Sequence, residues 1–370
     1  MRVLASDLVL DGRAGAAEQD ADVHRELRRY WDGDRYPRLS PRRRLALERA
    51  NAATLDRHLA DLRPDAVCWF NMGGLSLSLL ERVRRAGIPA AGYVADDWLV
   101  DGPRRDGWSR AWVDRPRAAR AVDGLAGVPT RLDLDRAARW LFVSDATRRA
   151  ARAAGWALPG AQVAHAGIGA AFGPAPRPRW RWRLLYAGRV VADKGVDLAV
   201  GALAHLPAQA TLTIAGPDGA PHDAAALAAL IDRLGVAARV ERRPALGRAA
   251  LARAYAEADV LLFPSRWAEP WGLVPLEAMA VGTPVVASGT GGSAEYLRDG
   301  ENALVIGEPD PAAWARAVRA LAAGEALRGR LRTGGLQTAA RHPAGMAPAA
   351  VARALEDIVG PEVPDIEEAA

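Results

Sequence analysis

The segment Glu269–Ser288, "EPWGLVPLEAMAVGTPVVAS", follows a short apolar run, "DVLLFPS", and itself ends in another, "PVVAS". Strand, loop, small-residue helix and second strand account for that order. Pro275 suits the first helical turn, where its missing N–H costs nothing, and Gly282 ahead of Pro284 stops the helix. The N–H groups of Trp271, Gly272, Leu273 and Val274 then project from the helix start, where the helix dipole also favours an anion. Gly272 permits close backbone approach. Two acids, Glu269 and Glu277, stand at this tip. An ionised carboxylate only accepts hydrogen bonds, and a sugar or ribose diol supplies two donors. Glu269 therefore reads as a ligand for sugar hydroxyls and Glu277 as one for a ribose diol. Each acid alone would read as a solvated loop carboxylate or a dipole partner. The pair around Pro-Trp-Gly points to a site.

A second cluster lies upstream. In "YAGRVVADKGVD", Gly188 and Arg189 follow a strand and Lys194 stands just before a helix. A fork-shaped guanidinium and a point-charge ammonium at one strand end suit a diphosphate. "AGPDG" places Gly216 in a comparable turn after the next strand.

The same alternation extends through the chain. "RVLAS", "DAVCWF", "IPAAGYVA" and "WLFVS" read as strands of the first half. The helix between the first two starts at Ser40-Pro41 and ends near Arg63-Pro64. "RLLYAG", "ATLTIAG", "ARVE" and "DVLLFPS" read as strands of the second. Short apolar runs joined by amphipathic stretches are the pattern of a parallel α/β sheet. Asp96, Asp97 and Trp98 fall at a strand's C-terminal end, where open α/β sheets bind ligands. The expected organisation is a first domain at 1–172, a Pro-rich linker at 173–181, a second domain at 182–345, a helix at 346–360 that completes the first domain, and an acidic tail at 361–370. The two doubly wound domains are expected to face a central cleft.

The 370 residues are half hydrophobic, enough for two cores. Lys plus Arg is 49 against 44 for Asp plus Glu, and the arginines sit on presumptive helix faces such as "LERVRRAG". No basic stripe interleaved with aromatics appears, which argues against a nucleic-acid partner, while the net charge of +5 suits an anionic substrate. A lone cysteine, Cys68, fits a reducing compartment and a small buried residue. No run of 18 apolar residues and no signal-peptide pattern occurs, so a cytoplasmic protein is expected, compatible with peripheral membrane contact. The six histidines form no HExxH or Cys/His motif, so no metal is expected. Trp98, Trp108 and Trp112 could stack on a sugar ring, although packing is the default for each.

From about Leu184 to Val305 the sequence resembles the donor domain of GT-B glycosyltransferases of the GT4 type. "EPWGLVPLE" is similar to that family's glutamate-x7-glutamate motif, and "GGSAEYLRDGENALV" to its continuation. The resemblance implies a retaining, metal-independent transferase with a nucleotide-diphosphate sugar as donor substrate and no other cofactor. It implies that Glu269 meets the donor sugar, that the backbone at Trp271, Gly272 and Leu273 meets sugar or phosphate, that Glu277 binds ribose, and that Arg189 and Lys194 stabilise the diphosphate. Gly188, Gly216, Arg243 and Pro244 would line the nucleotide. The acceptor, small-molecule, glycan or lipid-linked, would lie on the side of Asp96, Asp97 and Trp98. The first half resembles the acceptor domain more loosely, through "GIPAAGYVADDW" and "FVSDATRRA". There "RVLASDLVLDG" is similar to the family's second strand, so its opening strand–loop–helix unit has no counterpart, and "ADDW" lacks the family's histidine. A pseudo-glycosyltransferase, another sugar-nucleotide enzyme of this fold, or an inactive sugar-nucleotide-binding protein are the alternatives.

Overall fold

A computed structural model describes residues 1–7, 22–30, 37–112, 115–176 and 179–360. The chain divides into two compact units. The first comprises Met1–Val143, Thr147–Ala164 and the segment from Pro348; the second comprises Ser144–Ala146 and His165–Ala347. Residues 165–172, read from sequence as the end of the first domain, thus fall in the second unit. Linker residues 177–178 and the tail at 361–370 lie outside the described residues.

In the second unit, strands β7 (Arg183–Ala187), β8 (Thr211–Ala215), β9 (Val240–Arg243), β10 (Val260–Phe263), β11 (Val285–Ala287) and β12 (Leu304–Val305) form one parallel sheet in the order β12-β11-β10-β7-β8-β9. Leu184, Leu212, Leu262 and Val286 on these strands pack with Val200 and Leu203 from the crossover helix after β7 and with Trp314 and Leu321 from the helix after β12. The central strands are covered on both faces, so β7, β10 and β11 are buried almost throughout, whereas edge strand β9 is polar. "ARVE" starts later than its sequence suggests, because Ala237–Arg239 closes a 3-10 turn before β9 begins.

The chain runs outward from β7 to β9, then returns to add β10 on β7's other side. The gap between β7 and β10 is therefore the topological switch point, where loops leave in opposite directions and open a crevice at the strand ends. The sheet order alone directs the loops carrying Lys194 and Glu269 to one place.

The first unit holds β3 (Val67–Phe70), β4 (Ala90–Val94), β5 (Arg139–Phe142) and β6 (Gln162–Val163), parallel and in that order. The strand read in "RVLAS" exists as β1 (Val3–Ser6) but belongs elsewhere, in a two-stranded parallel sheet with β2 (Val23–Leu27). Ser40 caps the helix Pro41–Leu62, its Oγ accepting from Arg43 N–H, and Arg63 ends it in the left-handed conformation. That helix buries Glu48, which accepts from Tyr30 Oη at 2.5 Å and from the Ser76 and Ser78 hydroxyls at 2.6 Å each. The helix Met346–Val359 lies in this unit from Pro348 onward, and Asp357 pairs with Arg139 at 2.7 Å. Among the described residues no helix is long and apolar enough to cross a membrane.

Candidate functional site

Backbone bonds and an ion pair stitch together the loops after β7 and β10. The Asp193 carbonyl accepts the N–H groups of Arg266 (2.8 Å) and Trp267 (3.1 Å), and the Arg266 guanidinium grips Asp197 with two 2.7 Å bonds. Gly195 has φ +68°, and a Cβ there would lie 2.0 Å from the Pro264 carbonyl oxygen. Only glycine lets the two loops approach this closely. The consequence is chemical. Lys194 Nζ reaches Glu269 Oε1 at 2.7 Å, with Glu269 only 6% exposed, and the ammonium lies 4.2 Å from the centre of the Trp267 ring.

Arg189 is exposed and, among the described residues, its guanidinium makes no ion pair or hydrogen bond; its carbonyl accepts from Tyr186 Oη at 2.8 Å. Burial, then the charges of Glu269 and Asp197, push the Tyr186 phenol up, while Arg189 pulls it down. That hydroxyl thus senses both the acid and the guanidinium. The two cations and Glu269 share one end of the sheet.

The helix that follows, Leu273–Val281, starts from Gly272 at φ +80° and stops at Gly282 at φ +85°. Among the described residues the backbone N–H groups of Trp271, Gly272, Leu273 and Val274 have no hydrogen-bond partner. Unpaired N–H groups at a helix start are the arrangement that suits an anion. Tyr296 Oη donates to the Gly272 carbonyl, and its own ionisation is raised by burial and then by both Glu269 and Glu277, which places the two acids around one hydroxyl. Glu277 is half-buried and accepts from Tyr255 Oη at 3.1 Å; burial raises its pKa, partly offset by that bond.

The Glu269 loop is also held from behind. Gly292 N–H donates to the Glu269 carbonyl at 2.6 Å, and Cβ atoms at Gly291 or Gly292 would fall within 2.5 Å of the Ala268–Pro270 backbone. Trp271 turns its side chain inward. It is 3% exposed, stacks on His165 with centroids 4.2 Å apart, and donates Nε1–H to the Ala166 carbonyl at 3.0 Å. Its backbone alone faces the helix tip, while the Leu273 side chain is exposed.

Gly188 and Gly216 meet directly. Gly188 N–H donates to Ala215 O at 3.0 Å, Gly216 N–H to Arg243 O at 3.1 Å, and a Cβ on Gly216 would lie 1.9 Å from Gly188 O. Arg243 is committed to Glu241 by two bonds of 2.9 and 3.0 Å, so its carbonyl serves the turn while its guanidinium is neutralised; Pro244 beside it is exposed.

In the first unit, Asp96 Oδ1 accepts Trp98 N–H at 3.0 Å, and burial raises its pKa against that bond. Asp97 is half-buried at the start of the helix Trp98–Arg105. Trp98 corrects the idea of a stacking platform: it is 4% exposed and packs edge-to-face on Trp140, centroids 5.6 Å apart. Trp108 is buried with Nε1–H on the Pro129 carbonyl, and Trp112 packs against it. Burial raises the Cys68 thiol to about 11, which leaves it unreactive near neutrality.

Sequence spacing missed one group entirely. His24 Nδ1 and His58 Nε2 lie 3.5 and 3.4 Å from Glu26 Oε1, and the three offer ligand atoms within 4.8 Å of one another. Arg57 pairs with the same carboxylate, and Arg2 Nη1 lies 3.5 Å from His58 Nδ1. Arg57 already neutralises the Glu26 carboxylate, and Arg2, paired with Asp61 at 2.6 Å, stands beside His58, which leaves little net negative charge to draw a divalent ion. Tyr255, Trp267 and Tyr296 were also missed, because in sequence each reads only as an apolar residue beside a strand or helix.

Residues 174–338 match the sequence model of the family described as glycosyl transferases group 1. Over 152 residues the chain is 42% identical to a D-inositol 3-phosphate glycosyltransferase of Xylanimonas cellulosilytica, a stretch covering 41% of this chain and 36% of that protein. The chain thus spans about a third of the length of the curated relatives it matches. Among solved structures, Anabaena Alr3699/HepE in complex with UDP-glucose superposes with a TM-score of 0.68 at 18% identity, over 96% of this chain and 100% of that one. A glycosyltransferase from Rickettsia africae superposes at 0.69 and 13% identity, over 95% and 89%. Likeness at these identities is likeness of fold. Residues 174–338 are therefore similar in sequence to the group 1 glycosyl transferases, and the two parallel-sheet α/β units share the fold of the GT-B glycosyltransferase structures.

Proposed function

We propose that this protein transfers a sugar from a nucleotide-diphosphate sugar to an acceptor hydroxyl, with retention at the anomeric carbon and without a metal ion. The observation that carries the reading is the 2.7 Å contact between Lys194 and Glu269 at the tip of the Leu273–Val281 helix. It resolves a conflict in the site's chemistry. A carboxylate beside an anion seat repels a diphosphate, but an acid neutralised by its own ammonium does not. The ammonium has three donors and can hold Glu269 and a phosphate oxygen together.

In this mechanism Glu269 accepts the hydroxyls of the donor sugar, and Glu277 the ribose diol. Arg189, Lys194 and the N–H groups of Trp271 to Val274 take up the charge that develops as the anomeric C–O bond to the diphosphate breaks. The acceptor oxygen bonds to the anomeric carbon on the face the diphosphate leaves, and its proton passes to the departing phosphate oxygen. No protein base is needed. Two cations beside the diphosphate also do the work a divalent ion would do there, which supports metal independence. Acceptor binding we assign to the first unit, with Asp96 and Asp97 at the end of β4. The UDP-glucose complex of the Anabaena protein makes UDP-sugars the first donors to try. A cytoplasmic setting is part of the same proposal, since such donors are cytoplasmic metabolites.

The test is a product assay with UDP- and GDP-sugars against small-molecule, glycan and lipid-linked acceptors, with and without EDTA, reading product anomers by NMR. Retained anomers, EDTA resistance and a loss of at least about 100-fold in Glu269→Ala are expected, by the scale of a lost charge-stabilising group. Inverted product or unchanged turnover in Glu269→Ala refutes the mechanism. Nucleotide-sugar binding without transfer or hydrolysis would identify an inactive binding protein instead.

A further inference from the structure

We infer that Tyr255 is a positioning residue for nucleotide recognition, its buried phenol fixing one carboxylate oxygen of Glu277 so that the other is presented to the ribose; the inference rests on reading Glu277 as the ribose acid. Tyr255 ends no strand and lines no surface. Its side chain is fully buried near the end of the helix Arg248–Glu257, which leads straight into β10. The ring lies 6.0 Å from Phe172, and its carbonyl accepts Thr283 Oγ1–H at 2.7 Å, so the residue is held at both backbone and ring.

From that fixed point the phenol donates to Glu277 Oε2 at 3.1 Å, while Oε1 has no hydrogen-bond partner among the described residues. Burial and the Glu277 charge raise the phenol's ionisation far above neutrality, so it remains a donor wherever the carboxylate is ionised. A glutamate free of such a partner loses rotamer freedom when a ligand binds. Here the carboxylate plane is already set. Oε2 keeps a second lone pair, so both hydroxyls of a ribose can be accepted without disturbing the phenol. A tyrosine that served only the core would have no use for a donor aimed at the one acid of this helix.

The experiment is calorimetric titration of wild type, Tyr255→Phe, Glu277→Gln and the double variant with UDP and with 2′,3′-dideoxy-UDP, repeated with GDP and its dideoxy form. Tyr255→Phe should weaken UDP on the order of fivefold, the scale of one net hydrogen bond. Binding of the dideoxy nucleotide should stay within about twofold, as should the effect of adding Tyr255→Phe to Glu277→Gln. In turnover, KM for the donor rises and kcat holds. Equal weakening of both nucleotides, or no weakening where the wild type does discriminate, overturns the role of Tyr255. Failure of the wild type to discriminate the dideoxy form removes Glu277 as the ribose acid, and absence of binding by both UDP and GDP removes the nucleotide seat itself. Melting temperatures of the variants separate these results from unfolding.

Discussion

Replacing Lys194 by methionine keeps most of the side-chain volume, removes the ammonium, and leaves Glu269 buried opposite an apolar group. An unpaired buried carboxylate costs several kcal/mol, but the acid can escape by taking up a proton. For a glutamate of ordinary unfolded pKa, about 4.3, that uptake costs about 3.7 kcal/mol at pH 7 and about 1 kcal/mol at pH 5. These figures cap the penalty. Lys194 is itself 17% exposed, so some solvent reaches the pair and the real loss lies below the cap. We expect a loss of about 2–3 kcal/mol at pH 7, which for a unit of this size lowers the melting temperature by about 4–12 °C. At pH 5 the loss should shrink to about 1 kcal/mol or less. The assay is thermal and urea unfolding of wild type and variant at both pH values, in the native and Glu269→Gln backgrounds. Once the acid is an amide there is no charge to strand, and the Lys194→Met effect should largely vanish. A loss that is the same at pH 5 and pH 7, or undiminished in the Glu269→Gln background, would refute the claim that this pair is held together by charge.

Three further outcomes follow from the geometry. Burial raises the Glu277 pKa, and only its ionised form accepts a diol fully, so UDP affinity should fall as pH drops towards that raised value; Glu277→Gln should titrate flat in calorimetry. Gly216→Ala would set a Cβ 1.9 Å from the Gly188 carbonyl, a backbone clash that no rotamer relieves, and should cost more than about 2 kcal/mol in unfolding experiments, whereas Gly235→Ala, with open space around it, should cost less. Glu48 is raised from 4.5 to about 7, chiefly by burial and then by Asp106; a native pKa above the unfolded one means stability is fully present below pH 4.5 and is lost as pH rises towards 7, by on the order of 3 kcal/mol. Melting at pH 5 and pH 8 reads this slope, and Glu48→Gln should flatten it, leaving only what the burial-raised Asp106 adds.

The sequence carried much of this architecture because its punctuation is local. Ser40-Pro41, Gly188, Gly216, Gly272 and Gly282 act within a few residues of where they stand, and each marks an element boundary. What stayed hidden depends on pairs far apart in the chain. Lys194 and Glu269 are 75 residues apart, and nothing in either loop announces that one neutralises the other. Tyr255 and Glu277 meet only because a helix on one side of β10 passes the helix on the other. Trp98 follows two acids at a strand end and so reads as a ligand platform, yet its large apolar area is buried against Trp140. β1 reads correctly as a strand but pairs with β2, whose "VHREL" has no apolar run to give it away.

The clasp of Gly291 and Gly292 on the Glu269 loop has an architectural corollary. Helix, crossover and β11 between them form a closed ring, tied at its neck by one N–H bond from Gly292 to the Glu269 carbonyl. Adding or removing one residue anywhere in that ring would push a side chain into the neck or pull the acid off its ammonium. Residues 269–292 should therefore travel as a cassette of fixed length, graftable whole onto another sheet of this topology but not in part.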